Sequence, residues 1–580
     1  MTTSERPAGH RHPRRRRTAA VAAGIAGLLA AGVGIAYTQN ADAGAVSCTV
    51  TAGQVWGDRY NTTVTVDGAK SWTVVVAMTA PQKVASVWNG AATWGGGSGD
   101  IMTVKSDGKG NAFGFTTMNN GNGTARPKIT SCAGGSSPAA SASVTTAVAT
   151  TAPAAAPSAA PATAASTPPT TAPAAADITV NTATTFQTID GFGAAVPIWG
   201  TGWSTAETRT LVGAGAGQLG LSIVRTGISP VSSEWATQVN ALKAAKASGS
   251  NVKILASPWT APAAWKTNNS RTNGGKLKSD YYDDYAGHLN DYVTYMKSQG
   301  VTIDVVSIQN EPDWKPEYDS MEWTGDELRT FVRDQGSKIK NTKLMIAEGV
   351  NMNYGLTDPT LNDATARDNT GYIGGHLYGT EVSGRLKAYA LADQYKKPVW
   401  MTEYNFHEAA GDTSTAWADG GNQAVWDETL DEVMRTVNKS MESGWSAYVW
   451  WYGKRYYSFI GDGTAGTTSG AVLKRGYAFA QYAKYVRPGD QRIALTKSTK
   501  ASPLEVTAYR GDGKIKLVIL NRSGSAVTNA VIQAPQTVTK AEDHLTSKTA
   551  NEASQPTSIN GAQVTVSIPA RSISTLVITA

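Results

Sequence analysis

The chain has 580 residues, more than one hydrophobic core usually organises, so two or more domains are expected. Its formal charge of +7 is concentrated at the start: residues 1–43 hold six Arg against Glu5 and Asp42, a net +4, and the remainder carries +3. That small balance argues against a nucleic-acid or acidic-membrane partner, while 17 Trp among 17% charged residues point to a globular protein rich in flat aromatic surface.

Arg14 to Arg17 precede a small apolar run over 19–36, and Ala41, Asp42 and Ala43 form a small-x-small cleavage site. Residues 1–43 therefore read as an export signal, and a secreted protein is expected. A retained membrane anchor is the rival reading, but the run is short and rich in Gly and Ala. No later segment reads as a bilayer span. Cys48 and Cys132 are the only cysteines, and in an exported chain they are expected to close residues 44–132 with one disulfide; two free buried thiols are the alternative. Inside that segment Trp72, Val74, Val76 and Met78 alternate, as do Thr62, Val64 and Val66, which predicts a small β-sandwich. Residues 133–177 are almost entirely Ala, Pro, Thr, Ser and Gly and read as an extended linker.

From Asp190 the rhythm changes to short apolar strands at 191–193, 222–225, 252–255, 304–307, 343–346, 373–376, 398–401 and 447–450. Helical patterns separate them, such as the stripe Tyr285, Leu289, Tyr292, Val293 and Met296. Eight such units predict a (β/α)8 TIM barrel over 178–487. An open doubly wound sheet is the rival, but no Gly-rich phosphate loop follows the first strand. Alternation returns at 514–519 and 564–568, giving a side β-sandwich over 488–580, with the strand-like stretch near 178–189 a candidate to pair with it. The fold class is thus α/β: a TIM barrel with a side β-sandwich, preceded by a small all-β module.

Barrel enzymes carry their reactive groups on the C-terminal rim, so each strand can be read for what it delivers there. The second delivers Arg225 and the third Trp259. The fourth runs through Val305-Val-Ser-Ile-Gln-Asn-Glu-Pro-Asp-Trp314, where Pro312 stops the ladder and leaves Asn310 and Glu311 at its mouth, with Trp314 beyond. The sixth brings His376 and Tyr378, the seventh Glu403, the eighth Trp451, Tyr452 and Arg455. Glycoside hydrolysis needs this inventory, because one carboxylic acid protonates the departing oxygen while a second carboxylate attacks the anomeric carbon. Strands four and seven face each other across a barrel, so Glu311 and Glu403 are expected at about 5 Å, the separation of a retaining enzyme. Arg225 is expected beside Glu403, keeping it ionised. No metal or cofactor is expected: His376, His407 and Glu408 lack ligand spacing, His407 reads as a structural histidine, and Glu348 as a supporting rim acid.

Four ordered motifs carry a resemblance: Ser257-Pro-Trp-Thr-Ala-Pro262, Gln309-Asn-Glu-Pro312, Trp400-Met-Thr-Glu403 and Trp450-Trp-Tyr-Gly-Lys-Arg-Tyr-Tyr457. Together with Lys474-Arg-Gly-Tyr477 and Val486-Arg-Pro-Gly489 they resemble glycoside hydrolase family 30, above all its bacterial glucuronoxylanases, across residues 178 to 580. The resemblance implies Glu311 as general acid/base, Glu403 as nucleophile and Asn310 as the amide on the sugar 2-hydroxyl. It also implies that Arg455 and Tyr457 hold a methylglucuronic acid branch, a task suited to the guanidinium fork. The loop 404–421 is long and is not matched to the family pattern, and it is a candidate to donate hydroxyl contacts to the branch. Substrate contacts are further expected from Arg225, Trp259, Trp314, His376, Tyr378 and Trp451.

The first module resembles a family 2 carbohydrate-binding module, through the cysteine pair, Gln54-Val-Trp56-Gly, Trp72, Val87-Trp88-Asn89 and Phe113-Gly-Phe115. This implies Trp56 and Trp88 as binding residues and Trp72 as core, with cellulose, xylan or chitin as ligand. The whole chain is expected to be a secreted, monomeric, retaining endo-β-1,4-xylanase acting on glucuronoxylan of the plant cell wall. The rivals are a related barrel glycosidase cutting β-1,6-galactan, β-1,6-glucan or β-glucosides, and a non-catalytic polysaccharide binder.

Overall fold

The computed structural model describes residues 35–39, 46–55, 59–79, 82–95, 101–108, 110–118, 126–134, 174–200, 202–249, 251–379 and 386–580. Trp56, most of the expected export signal and most of the linker lie outside the described residues. The chain divides into two compact units, one within Arg17–Ser166 and one holding Thr167–Ala580.

The first unit contains β1 (Ile35–Gln39), β2 (Val46–Val55), β3 (Arg59–Asp67), β4 (Trp72–Ala77), β5 (Lys83–Trp88), β6 (Ala91–Gly95), β7 (Ile101–Lys105), β8 (Ala112–Met118) and β9 (Lys128–Gly134). They form two antiparallel sheets, ordered β1-β2-β3-β8-β5 and β6-β7-β4-β9. Strict alternation in β4 turns Trp72, Val74 and Val76 inward against Val64, Val66, Phe113 and Phe115. The Cys48–Cys132 disulfide ties β2 to β9, and so one sheet to the other, with Cα atoms 6.1 Å apart. Closing a loop of this length removes chain entropy worth about 4.6 kcal/mol. β1 lies inside the segment expected to be cut away; its removal leaves β2 as that edge of the sheet.

The second unit is a closed parallel barrel of β11 (Gly191–Ala195), β12 (Ile223–Ile228), β13 (Lys253–Pro258), β14 (Val305–Ser307), β15 (Lys343–Gly349), β16 (Thr370–His376), β17 (Val399–Glu403) and β18 (Ala447–Trp450). Buried on both faces, these strands read as unbroken apolar runs, and Ile223, Leu255, Val305, Met345, Trp400, Ala447 and Val449 fill the interior. The crossover helix Tyr282–Ser298 buries Tyr285, Leu289, Tyr292, Val293 and Met296, the stripe visible in the sequence. In β11, a Cβ on Gly193 would stand 2.1 Å from the Ile223 carbonyl, so only glycine admits the neighbouring strand there.

A strand preceding the barrel, β10 (Ile178–Thr188), joins the C-terminal strands instead, antiparallel to Gln491–Lys497 and parallel to Val527–Gln533. It sits inside a ten-stranded side sandwich whose core includes Ile178, Val180, Leu517, Ile519, Ile532 and Leu576. The sandwich is bonded to the barrel: Gln187 Nε2 donates to Met441 O at 2.7 Å, and Arg571 pairs with Asp427 and Asp431 at 2.5 and 2.8 Å. No helix among the described residues is long and apolar enough to cross a membrane.

Candidate active site

β12 gathers the charges of the barrel mouth. Arg225 sits within it, backbone-paired with Ala195 and Leu255, and is fully buried. A guanidinium persists out of water only where its donors and its charge are met. Arg225 Nη1 donates to Glu403 Oε2 at 2.5 Å, Nη2 to Asn310 Oδ1 at 2.6 Å and Nε to Ser257 Oγ at 3.3 Å. Nη2 also forms an ion pair with Glu348 Oε1 at 3.1 Å.

Glu403 ends β17 beside His376, which ends β16. The Tyr378 hydroxyl donates to Glu403 Oε1 at 3.1 Å and accepts from Asn405 Nδ2 at 2.9 Å. Glu311 arrives differently. β14 stops at Ser307, and the chain is then held by single bonds to its neighbours, Asn310 N–H to Pro258 O and Glu311 N–H to Glu348 O. Glu311 has φ +48°, in the left-handed region that costs a side-chain-bearing residue on the order of 1 kcal/mol. A return bond from Trp314 N–H to Glu311 O at 3.0 Å closes the turn around Pro312. Glu311 Oε1 lies 3.0 Å from His376 Nδ1, and Oε2 accepts from the Tyr318 hydroxyl at 3.5 Å.

One oxygen each of Glu311 and Glu403 and one ring nitrogen of His376 all lie within 4.8 Å of one another. Burial opposes charge on His376, but Glu403, Glu311 and Glu348 around it lift its pKa to about 9. Burial likewise opposes ionisation of Glu348, and Arg225 and His376 outweigh it, holding that carboxyl down at about 2. Three carboxyl groups thus face two cations, and one proton makes the cluster neutral. Glu311, His376 and Glu403 have the proximity of a metal triad. A metal ion there would face the Arg225 charge 2.5 Å from Glu403 and displace the proton from His376, so the donor set does not fit a cation.

Residues 232–370 match the O-Glycosyl hydrolase family 30, and residues 489–576 match the Glycosyl hydrolase family 30 beta sandwich domain. The glucuronoxylanase XynC of Bacillus subtilis (strain 168) is 34% identical over 411 residues, covering 70% of this chain and 92% of that protein. The chain belongs to glycoside hydrolase family 30. Two solved structures agree with this fold and family: the subfamily 8 xylanase Xyn30A from Clostridium acetobutylicum, with 30% identity and a TM-score of 0.61, and a family 30 endoxylanase from Clostridium papyrosolvens C71, with 31% and 0.59. Each covers 70% of this chain and is itself covered completely.

In this family 30 hydrolase the remaining expected residues form two flanks. On one, Trp259 is buried, with the Arg225 guanidinium carbon 4.8 Å from its ring and with Trp199 and Trp451 packed at 5.8 and 6.1 Å. Trp451 is 1% exposed and stacks on Tyr452 at 3.9 Å, which leaves little face for a sugar. Trp314 is 37% exposed, its indole hydrogen-bonded to Tyr318.

On the other flank, Arg455 is partly exposed, 3.5 Å from Asp462, and its buried Nε lacks a partner. Tyr457 is buried, its ring stacked on His407 at 4.1 Å and 12°, and its hydroxyl also lacks a partner. His407, expected to be a structural histidine, accordingly adjoins Tyr457 and contacts Asn405 Oδ1 through Nδ1 at 3.1 Å. A buried ion pair holds this flank together. Arg475 donates to Phe406 O at 2.7 Å, Tyr457 O at 2.8 Å and Glu428 Oε1 at 2.7 Å. Glu428 Oε2 in turn accepts the backbone N–H groups of Glu408 and Ala409, both at 2.6 Å. Sequence reasoning does not single out Tyr318 or Glu428, which sit in no motif. Arg475 does have a signal, the quoted Lys474-Arg-Gly-Tyr477.

Proposed function

We propose that this family 30 hydrolase is a secreted, retaining endo-β-1,4-xylanase that cuts glucuronoxylan at sites chosen by its glucuronic acid branch. The observation that carries the reading is the approach of Glu311 and Glu403 to within 4.8 Å, the close spacing of a double displacement. The similarity to a relative named glucuronoxylanase supports the substrate.

In the first step a Glu403 oxygen attacks the anomeric carbon, the glycosidic C–O bond breaks, and the Glu311 proton passes to the departing oxygen. The leaving chain departs and an ester joins Glu403 to the sugar. In the second step the Glu311 carboxylate takes a proton from water, whose oxygen attacks the anomeric carbon and frees Glu403. Arg225 keeps Glu403 ionised and aimed, and also orients Asn310 toward the 2-hydroxyl. His376 positions Glu311 through Nδ1. Arg455 and the Tyr457 hydroxyl take the branch carboxylate, their unpartnered N–H and O–H being the donors such a group needs. The first module holds the enzyme on cellulose or xylan, with Trp88, 37% exposed, as one contact.

Arg455→Ala is expected to lower kcat/KM on glucuronoxylan by about 10²-fold, the worth of a charge-assisted pair, while changing hydrolysis of undecorated xylan little. Equal losses on both substrates would contradict branch recognition.

A further inference from the structure

Glu403 lies at the inner end of a hydrogen-bonded chain that begins in the loop after β17. The Tyr378 hydroxyl donates to Glu403 Oε1 at 3.1 Å, Asn405 Nδ2 donates to the Tyr378 oxygen at 2.9 Å, and His407 Nδ1 contacts Asn405 Oδ1 at 3.1 Å. Glu403, Tyr378 and Asn405 are buried, whereas His407, at the outer end, is half-buried. Neither Asn405 nor His407 belongs to the motif Trp400-Met-Thr-Glu403 that precedes them.

The carboxylate dictates the direction of every bond. Glu403, ion-paired with Arg225, can only accept, so the single Tyr378 proton points to it. The Tyr378 oxygen is left to accept, which turns the Asn405 amide N–H toward it and the amide oxygen toward His407. That oxygen also only accepts, so His407 Nδ1 carries a proton. Donors aligned in this way polarise one another, and a change at one end is felt at the other. Arg225 holds Glu403 Oε2, so the chain governs the other oxygen. Its outer end meets the proposed branch pocket: the His407 ring stacks on Tyr457 at 4.1 Å and 12°, with Tyr456 edge-on at 6.3 Å. Arg475 donates to the carbonyls of both Phe406, which lies between Asn405 and His407, and Tyr457, so the two loops share one anchor.

We propose that His407 and Asn405 are positioning residues that relay occupancy of the branch pocket to the nucleophile. A branch seated on Tyr457 fixes the stacked His407 ring, the ring aligns the Asn405 amide, and the amide sets the Tyr378 hydroxyl that orients Glu403 toward the anomeric carbon. The inference rests on the glucuronoxylanase reading and deepens it: part of the energy of branch binding is expressed in the transition state, and so in kcat as well as in KM.

The test uses the full-length protein and two xylo-oligosaccharides of equal length, one carrying a single glucuronic acid branch and one undecorated. In the wild type kcat should be roughly tenfold higher on the branched substrate, the worth of one well-made hydrogen bond. Asn405→Leu removes the donor and the acceptor at similar size. The branched-to-undecorated ratio of kcat should then fall toward one while the ratio of KM keeps its value, because Arg455 and Tyr457 remain. His407→Phe keeps a ring against Tyr457 and removes only the Nδ1 proton; it should act in the same way, and it supplies the readout should the buried Asn405→Leu change prevent folding. Equal kcat on both substrates in the wild type, an unchanged kcat ratio in either folded variant, or a shift confined to the KM ratio overturns the relay, and a lower wild-type KM for the branched substrate leaves the glucuronoxylanase reading standing. Equal wild-type kcat/KM on the two substrates overturns that reading, and the relay with it.

Discussion

His376 and Glu348 show how single side chains set the working state of the site. His376 contacts Glu311 through one nitrogen and lies 3.8 Å from Glu348 through the other, so these acids favour its charged form. Its folded pKa of about 9 lies above its ordinary 6.5. The stability it contributes is therefore whole below about pH 6.5 and is lost as pH rises through about 9. Glu348, held at about 2 against an ordinary 4.5, contributes stability that is present above about 4.5 and lost only as pH falls through about 2. His376→Gln should accordingly be less stable than the wild type by a margin that is largest at about pH 6 and shrinks by about pH 10. Denaturant unfolding at the two pH values checks this, and an unchanged margin would contradict it. At this scale the sequence speaks clearly where chemistry restricts the residue type. Glu311 is legible because Pro312 bars a strand from continuing past it, although β14 ends earlier, at Ser307. Tyr318 is not, because six residues of irregular loop separate it from the carboxylate it touches, and no periodicity reports where such a loop returns.

Among the elements, the loops after β17 and β18 have little regular structure of their own, a single 3-10 turn at Thr415–Trp417 and bridges at Ile460. Arg475, on the helix Lys474–Ala483, and Glu428, on the helix Gln423–Glu428, supply the missing definition. Between them they bind the backbone at Phe406, Glu408, Ala409 and Tyr457, so the proposed branch pocket is positioned by a buried ion pair that need never touch the substrate. Breaking one partner leaves the other charge buried and the loops untethered. Glu428→Gln is expected to raise KM on glucuronoxylan about tenfold, as for a lost charge-assisted bond, with a smaller change in kcat. A fall in kcat with KM unchanged would place the pair at the chemistry instead. The loop 404–421 is opaque to family comparison because long-range bonds from helices on either side of β18 organise it. The eight barrel strands are legible for the opposite reason: burial on both faces makes each an apolar run.

For the whole molecule, the barrel and side sandwich share one compact unit that begins and ends in the same sheet system, since β10 pairs with strands some three hundred residues later. Alternation in the sequence marks β10 as a strand but cannot name its partners, which only the folded barrel brings within reach. This closure carries a mechanical consequence. Arg225 and Glu403 sit on strands of a closed cylinder, and the turn that carries Glu311 past β14 is bonded to the flanking strands at Pro258 and Glu348, so the spacing of the two carboxylates is fixed by the barrel rather than by a hinge. A fixed short spacing leaves no room for a water between carboxylate and sugar, so the proposed hydrolysis passes through an ester to Glu403. The anomeric configuration of the first-formed product reports this directly. Proton NMR of glucuronoxylan hydrolysis should show the β-anomer of the new reducing end appearing first, with the α-anomer growing in only by mutarotation. The α-anomer appearing first would contradict the account.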